Sequence, residues 1–84
     1  MEIKFIPHAQ RKIKLLGKYG FFITEEKVMA IVKTPERVIP GKKGRWIAQS
    51  RINDNHVLRV VFEEKEDKIE VITFYPGRRN RYED

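Results

Sequence analysis

Two runs decide the fold of this 84-residue chain: Val57-Leu58-Arg59-Val60-Val61-Phe62 and Ile69-Glu70-Val71-Ile72-Thr73-Phe74-Tyr75, joined by Glu63-Glu64-Lys65-Glu66-Asp67-Lys68. Both runs are rich in β-branched and aromatic residues at strand length, and the connector is wholly charged, so the stretch predicts a β-hairpin. Pairing Glu63 with Lys68 across a four-residue loop puts Leu58, Val60, Phe62, Ile69, Val71 and Thr73 on one face. Arg59, Val61, Glu70, Ile72 and Phe74 then share the other. The first set reads as core. The second keeps charges among apolar neighbours and reads as a partly covered face bordering a site. A shift of one residue would exchange the faces of the second strand.

The chain is long enough for one domain with a single modest core. It contains no cysteine, which excludes disulfides, thiolate metal sites and a cysteine nucleophile by inventory. His8 and His56 lack a recognisable metal-ligand spacing, so neither metal nor cofactor is expected. No basic-then-apolar leader opens the sequence, and no apolar run approaches the ~20 residues of a bilayer span, so the expectation is a soluble cytoplasmic protein. The net charge of +6 is unevenly spread: residues 1–20 and 40–59 each carry +4, whereas residues 60–70 carry −3. A basic body with an acidic hairpin tip suits a polyanion-binding surface, and equally a domain that is merely soluble.

In chain order, Glu2 to Ile6 alternates as a first strand ended by Pro7, which suits the first turn of a helix. Ala9, Ile13 and Leu16, with Leu15 and Tyr19, give that helix its apolar stripe, and Gly17 and Gly20 weaken its end. Thr24 followed by Glu25 and Glu26 reads as the N-cap of a second helix carrying Val28, Met29, Ile31 and Val32, which must stop before Pro35. From Val38 the pattern turns from helical to alternating. Pro40-Gly41-Lys42-Lys43-Gly44 reads as a mobile basic loop, Arg45 to Ile52 as a strand, and Asn53-Asp54-Asn55 as the turn into the hairpin. The expected fold is α+β, in the order β-α-α-β-β-β. A mostly antiparallel four-stranded sheet carries two helices on one face, with the first strand beside the last and the second face open.

Several stretches together resemble a known family. They are Phe5-Ile6-Pro7-His8-Ala9-Gln10-Arg11, Ile23-Thr24-Glu25-Glu26-Lys27-Val28, Thr34-Pro35-Glu36-Arg37-Val38-Ile39, Leu58-Arg59-Val60-Val61-Phe62 and Val71-Ile72-Thr73-Phe74-Tyr75-Pro76. Over nearly the whole chain they are similar to domain of unknown function family 4258, a group regarded as related to the RelE/ParE toxin superfamily. The segment Lys18-Tyr19-Gly20-Phe21-Phe22 departs from that pattern, being longer and more aromatic than the usual short Arg-Gly turn. The resemblance implies a single RelE-like domain over residues 1–77, and the lack of apolar periodicity from Pro76 onward reads as a basic, loosely ordered tail over 78–84. It further implies either a metal-independent endoribonuclease acting on RNA or a non-catalytic RNA-binding or protein-interaction module on the same open basic face. An antitoxin encoded by a neighbouring gene is the implied protein partner.

The candidate catalytic residues are His8, Arg59 and Tyr75. His8 suits a general acid or base near neutral pH, or else packs or caps at the strand-to-helix junction. Arg59 suits charge stabilisation on a phosphorane, or else pairs with a carboxylate across the sheet. Tyr75 suits the acid for the leaving oxygen. Arg11, Lys12, Lys42, Lys43, Arg45, Arg78 and Arg79 are the candidate nucleic-acid-binding residues, with Tyr75 and Tyr82 as stacking rings, Tyr82 with Arg81 reading alternatively as part of a solvated tail. Trp46 beside Arg45 is either a third such ring or a core residue, and His56 is read as an ordinary surface residue.

Overall fold

The computed structural model describes residues 2–83. The elements run β1 (Glu2–Phe5), α1 (Pro7–Lys18), α2 (Glu25–Lys33), β2 (Arg37–Pro40), a 3-10 turn (Lys42–Gly44), β3 (Trp46–Arg51), β4 (His56–Lys65), β5 (Lys68–Arg78) and α3 (Arg79–Tyr82). The strands form one mixed sheet in the order β1-β5-β4-β3-β2. β1 lies parallel to β5 and every other pair is antiparallel. The class is therefore α+β, as the sequence implies, but the sheet has five strands where four are expected. The additional strand, β2, is the short Arg37-Val38-Ile39-Pro40 run paired with β3. Its closing proline is tolerated because an edge strand needs no donor on its outer side. Among the described residues no helix is long and apolar enough to cross a membrane.

α1 and α2 pack on one face of the sheet. Ala9 and Leu16 from α1 and Val28, Ile31 and Val32 from α2 meet Ala48, Leu58, Val60, Phe62, Val71 and Phe74 in one buried cluster, with Ile13 packed against it. The α1 stripe is narrower than the sequence suggests, since Leu15 and Tyr19 remain 47% and 72% exposed. At about 100° per residue, Leu15 points to the flank when Leu16 points inward. Gly20, at φ +88°, closes the helix: its N–H donates to Gly17 O and the Phe21 N–H to Leu16 O. That left-handed turn needs glycine, and it brings Phe21 back onto the core. α2 begins as expected, with Thr24 Oγ1 accepting from the Lys27 N–H at 3.1 Å and two glutamates in its first turn.

The β4–β5 hairpin turns on two residues, Glu66 and Asp67, with Lys65 opposite Lys68, rather than on a four-residue loop with Glu63 opposite Lys68. A shift of two keeps the faces, so Phe62, Ile69 and Val71 stay where the alternation puts them. The next step reverses the expectation. Phe62 pairs with Val71 but Val61 pairs with Thr73, leaving Ile72 as an unpaired bulge residue. Beyond it Phe74 enters the core, fully buried, and Thr73 moves to the opposite face beside Val61. The bulge, not the loop, supplies the one-residue exchange.

Residues 78–83 differ from the expected loose tail. β5 continues through Pro76 and Gly77 to Arg78, and α3 folds back against the face that α1 and α2 leave uncovered. Asp84, the last residue of that tail, lies outside the described residues.

Because Phe62 seals the core next to the bulge, Phe62→Ala should lower the unfolding free energy by about 3–5 kcal/mol. That is a large part of the ~5–15 kcal/mol typical of a domain. Urea denaturation is the check, and an unchanged midpoint would contradict the packing described.

Candidate nucleic-acid interface

The open face is built from the residues of β3, β4 and β5 that alternate away from the helices. Register places Ile47, Val61 and Thr73 in one row, Gln49, Arg59 and Tyr75 in the next, and Arg51, Val57 and Gly77 in a third. The face has two halves with different chemistry.

The half around Arg59 is closed. Gly77 leaves room for Tyr82, whose ring would overlap a Cβ at that position. Tyr82 lies over the Arg59 guanidinium, 4.2 Å from ring centroid to Cζ. Arg59 is 8% exposed; its Nε donates to the Tyr75 hydroxyl at 3.0 Å and its Nη1 to Gln49 Oε1. Among the described residues it has no carboxylate partner. The expected choice for Arg59 between phosphate and carboxylate thus resolves, in this structure, into two neutral acceptors and an aromatic face. The Tyr82 carbonyl accepts from Gln49 Nε2 at 3.1 Å and Arg37 Nη1 at 2.9 Å. Glu83 accepts from Arg51 Nε and Arg79 Nε, each at 2.7 Å. Val57, fully buried but outside the main cluster, lies on this side.

The other half is a pocket of about 650 Å³ with Ile47, Val61, Thr73 and Tyr75 as its floor and Pro40 to Arg45 as its rim. The rim is held in place. Arg45 Nε donates to Glu63 Oε1 at 2.7 Å, Gly41 N–H donates to Arg45 O at 2.7 Å, and Lys43 and Gly44 take left-handed φ of 58° and 75°. The Glu63 carboxyl is held below its ordinary range chiefly by the hydrogen bond from Arg45, with burial opposing. Glu63 also faces Glu70 across the hairpin, and Lys65 lies 3.6 and 3.5 Å from the two carboxylates, offsetting their repulsion. Lys42 and Lys43 are exposed and, among the described residues, have no ion-pair partner. At the pocket's far side Thr73 Oγ1 accepts from Lys12 Nζ at 3.3 Å, and His8 Nε2 lies 3.5 Å from the same oxygen. α1 reaches Thr73 because β1 pairs β5 only as far as Val71.

Seven of the ten expected site residues thus fall at or beside this pocket, and three lie elsewhere. Lys42, Lys43, Arg45 and Tyr75 line the pocket, His8 and Lys12 adjoin it through Thr73, and Arg59 adjoins it through Tyr75. Arg11 is on the outer side of α1, near Lys14 and Lys18. Arg78 and Arg79 line a separate hollow with Asp54, Asn55 and Asn80. Trp46 is on the helix-packed face, opposite Phe62, and so does not share the floor with Ile47. His56 packs edge-on against Phe21, with ring centroids 5.0 Å apart. Ile47 and Thr73, the latter expected in the core, complete the pocket beside Val61, which the alternation already places on the face bordering a site. For Thr73 the signal was its i−2 relation to Tyr75, masked by the unforeseen bulge. No protein-family model, no curated protein and no solved structure matches this sequence.

The Glu83 carboxyl lies below its ordinary range, first because Arg51 and then Arg79 donate to it, with burial opposing. A carboxylate lowered in the folded state stabilises fully above its unfolded value and loses that contribution as pH falls through the folded one. Stability against urea should therefore fall as pH drops below the ordinary glutamate value of 4.5, and Glu83→Gln should remove part of that drop. Identical pH profiles for the two proteins would contradict this role for Glu83.

Proposed function

We propose that this chain is a non-catalytic RNA-binding module that holds a single strand over the pocket between the β2–β3 loop and β5. The observation that carries the reading is the pairing of an apolar and aromatic floor, Ile47, Val61 and Tyr75, with two lysines on a fixed rim that have no ion-pair partner among the described residues. A nucleobase has an apolar face and its phosphate a charge, so the floor suits the first and Lys42 and Lys43 the second. Arg45 acts differently: tied to Glu63, it keeps the rim in position. The parallel pairing of the first and last strands and the two helices on one face support a RelE-like reading of the fold. On that reading the ligand is cytoplasmic RNA and a neighbouring-gene antitoxin is the protein partner.

One observation favours a second reading, metal-independent RNA cleavage. His8 Nε2 reaches Thr73 on the pocket wall, and Tyr75 follows two residues along the same face. His8 would take the 2′-hydroxyl proton. Tyr75 accepts from Arg59 and so keeps its own proton to donate to the leaving oxygen. Arg59 itself is closed beneath Tyr82 and would act only through Tyr75, which makes this reading the weaker one.

Lys42→Ala with Lys43→Ala should weaken binding of single-stranded oligoribonucleotides without changing sequence preference. It should also reduce the slope of log affinity against log salt by ~1–2, since each phosphate contact contributes roughly 0.7 on a single strand. Wild-type protein that binds no oligomer at low salt, or binds with no salt dependence, would overturn the proposal. For the second reading, His8→Ala should cut EDTA-resistant ribonuclease activity by ~10²-fold, and unchanged activity would leave only the binding module.

A further inference from the structure

Three exposed aromatic rings, Tyr19, Phe22 and Trp46, lie outside the pocket lining. Tyr19, at the end of α1, is 72% exposed, and α1 reads PHAQRKIKLLGK without an acidic residue. Residues spaced four, seven and eleven apart share one flank of a helix, so His8, Lys12, Leu15 and Tyr19 form a single line. Contacts fix where the line begins, because His8 and Lys12 both reach Thr73 on the pocket wall. From there it runs past Leu15, 47% exposed, to Tyr19, about 16 Å along the axis at ~1.5 Å per residue.

We infer that Tyr19 is a base-stacking platform for a single strand that leaves the pocket along this flank of α1, an inference that rests on the RNA reading above. Arg11 and Lys18 stand beside the line and suit the phosphates between the stacked base and the pocket. The same cations, unrelieved by any carboxylate on the helix, would repel a second copy of this chain and attract a polyanion. Stacking on an isolated ring needs an unpaired base, which specifies a single strand rather than a duplex.

The molecule supplies an internal control. Phe22 is even more exposed, at 84%, but its ring lies beside Gly17, with Cδ1 4.0 Å from where a Cβ would sit. Gly17 is two residues, hence about 200° around the helix, from Leu15, so Phe22 lies off the line that starts at the pocket.

The test is fluorescence anisotropy with labelled oligouridines of about four and about twelve nucleotides, lengths that bracket common single-strand sites. Tyr19→Ala should weaken binding of the longer oligomer by about five- to one-hundredfold and leave the shorter one unchanged. Tyr19→Phe should restore the loss, Tyr19→Leu should not, and Phe22→Ala should bind as the wild type does. Equal affinity of Tyr19→Ala and wild type for the longer oligomer would overturn the inference while the pocket reading stands. So would restoration by leucine, or an equal loss in Phe22→Ala. Failure of the wild type to bind either length at low salt would instead remove the RNA reading, and the platform with it.

Discussion

A single unpaired residue, Ile72, sets the chemistry of both sheet faces. Without the bulge, the alternation of β5 would send Thr73 into the core and Phe74 to the surface, removing a fully buried ring from one side and a hydroxyl from the other. With it, Phe74 completes the helix-packed core, and Thr73 and Tyr75 stand beside Val61 and Arg59 on the open face. The bulge falls just after β1 stops pairing at Val71, where β5 has lost one neighbour and can bend most easily.

The open face is then divided by the C-terminal segment. Gly77 admits Tyr82, Tyr82 covers Arg59, and Glu83 ties α3 to β3 through Arg51. Most arginines near the sheet are absorbed in this way. Arg37 and Arg51 hold the C-terminal segment, Arg59 is sealed under it, Arg79 bridges Glu83 and the Asp54 carbonyl, and Arg45 anchors the rim to Glu63. The planar, many-donor guanidinium suits such fixed bonds, whereas the flexible ammonium of Lys42 or Lys43 suits a mobile phosphate. Net charge alone therefore overstates what is available to a ligand, and the distribution of partners decides where an anion can bind.

Much of the fold is legible in the sequence because it depends on local signals. Thr24 as a cap, Pro7 at a helix start, Pro35 beyond a helix end and the alternation of β3 and β4 each act within a few residues. What is not legible depends on contacts distant in sequence. The bulge at Ile72 answers to the packing of Phe74, the strand character of Val38 and Ile39 to β3, and the order of the last residues to Gly77 and Arg59. The site follows the same division. His8, Lys12, Lys42, Lys43 and Tyr75 stand out by residue type, whereas Thr73 and Ile47 join Val61 only when register is known. Arg78 and Arg79, which share the type but not the place, line a different hollow.

The most direct test of the central claim is a backbone amide chemical-shift titration of the labelled protein with a short single-stranded RNA at low salt. The account predicts that the shifts concentrate on Lys42, Lys43, Ile47, Val61, Thr73 and Tyr75, with Asp54, Asn55 and Asn80 unmoved. Shifts centred on the Asp54–Asn80 hollow, or no shifts at all, would contradict it.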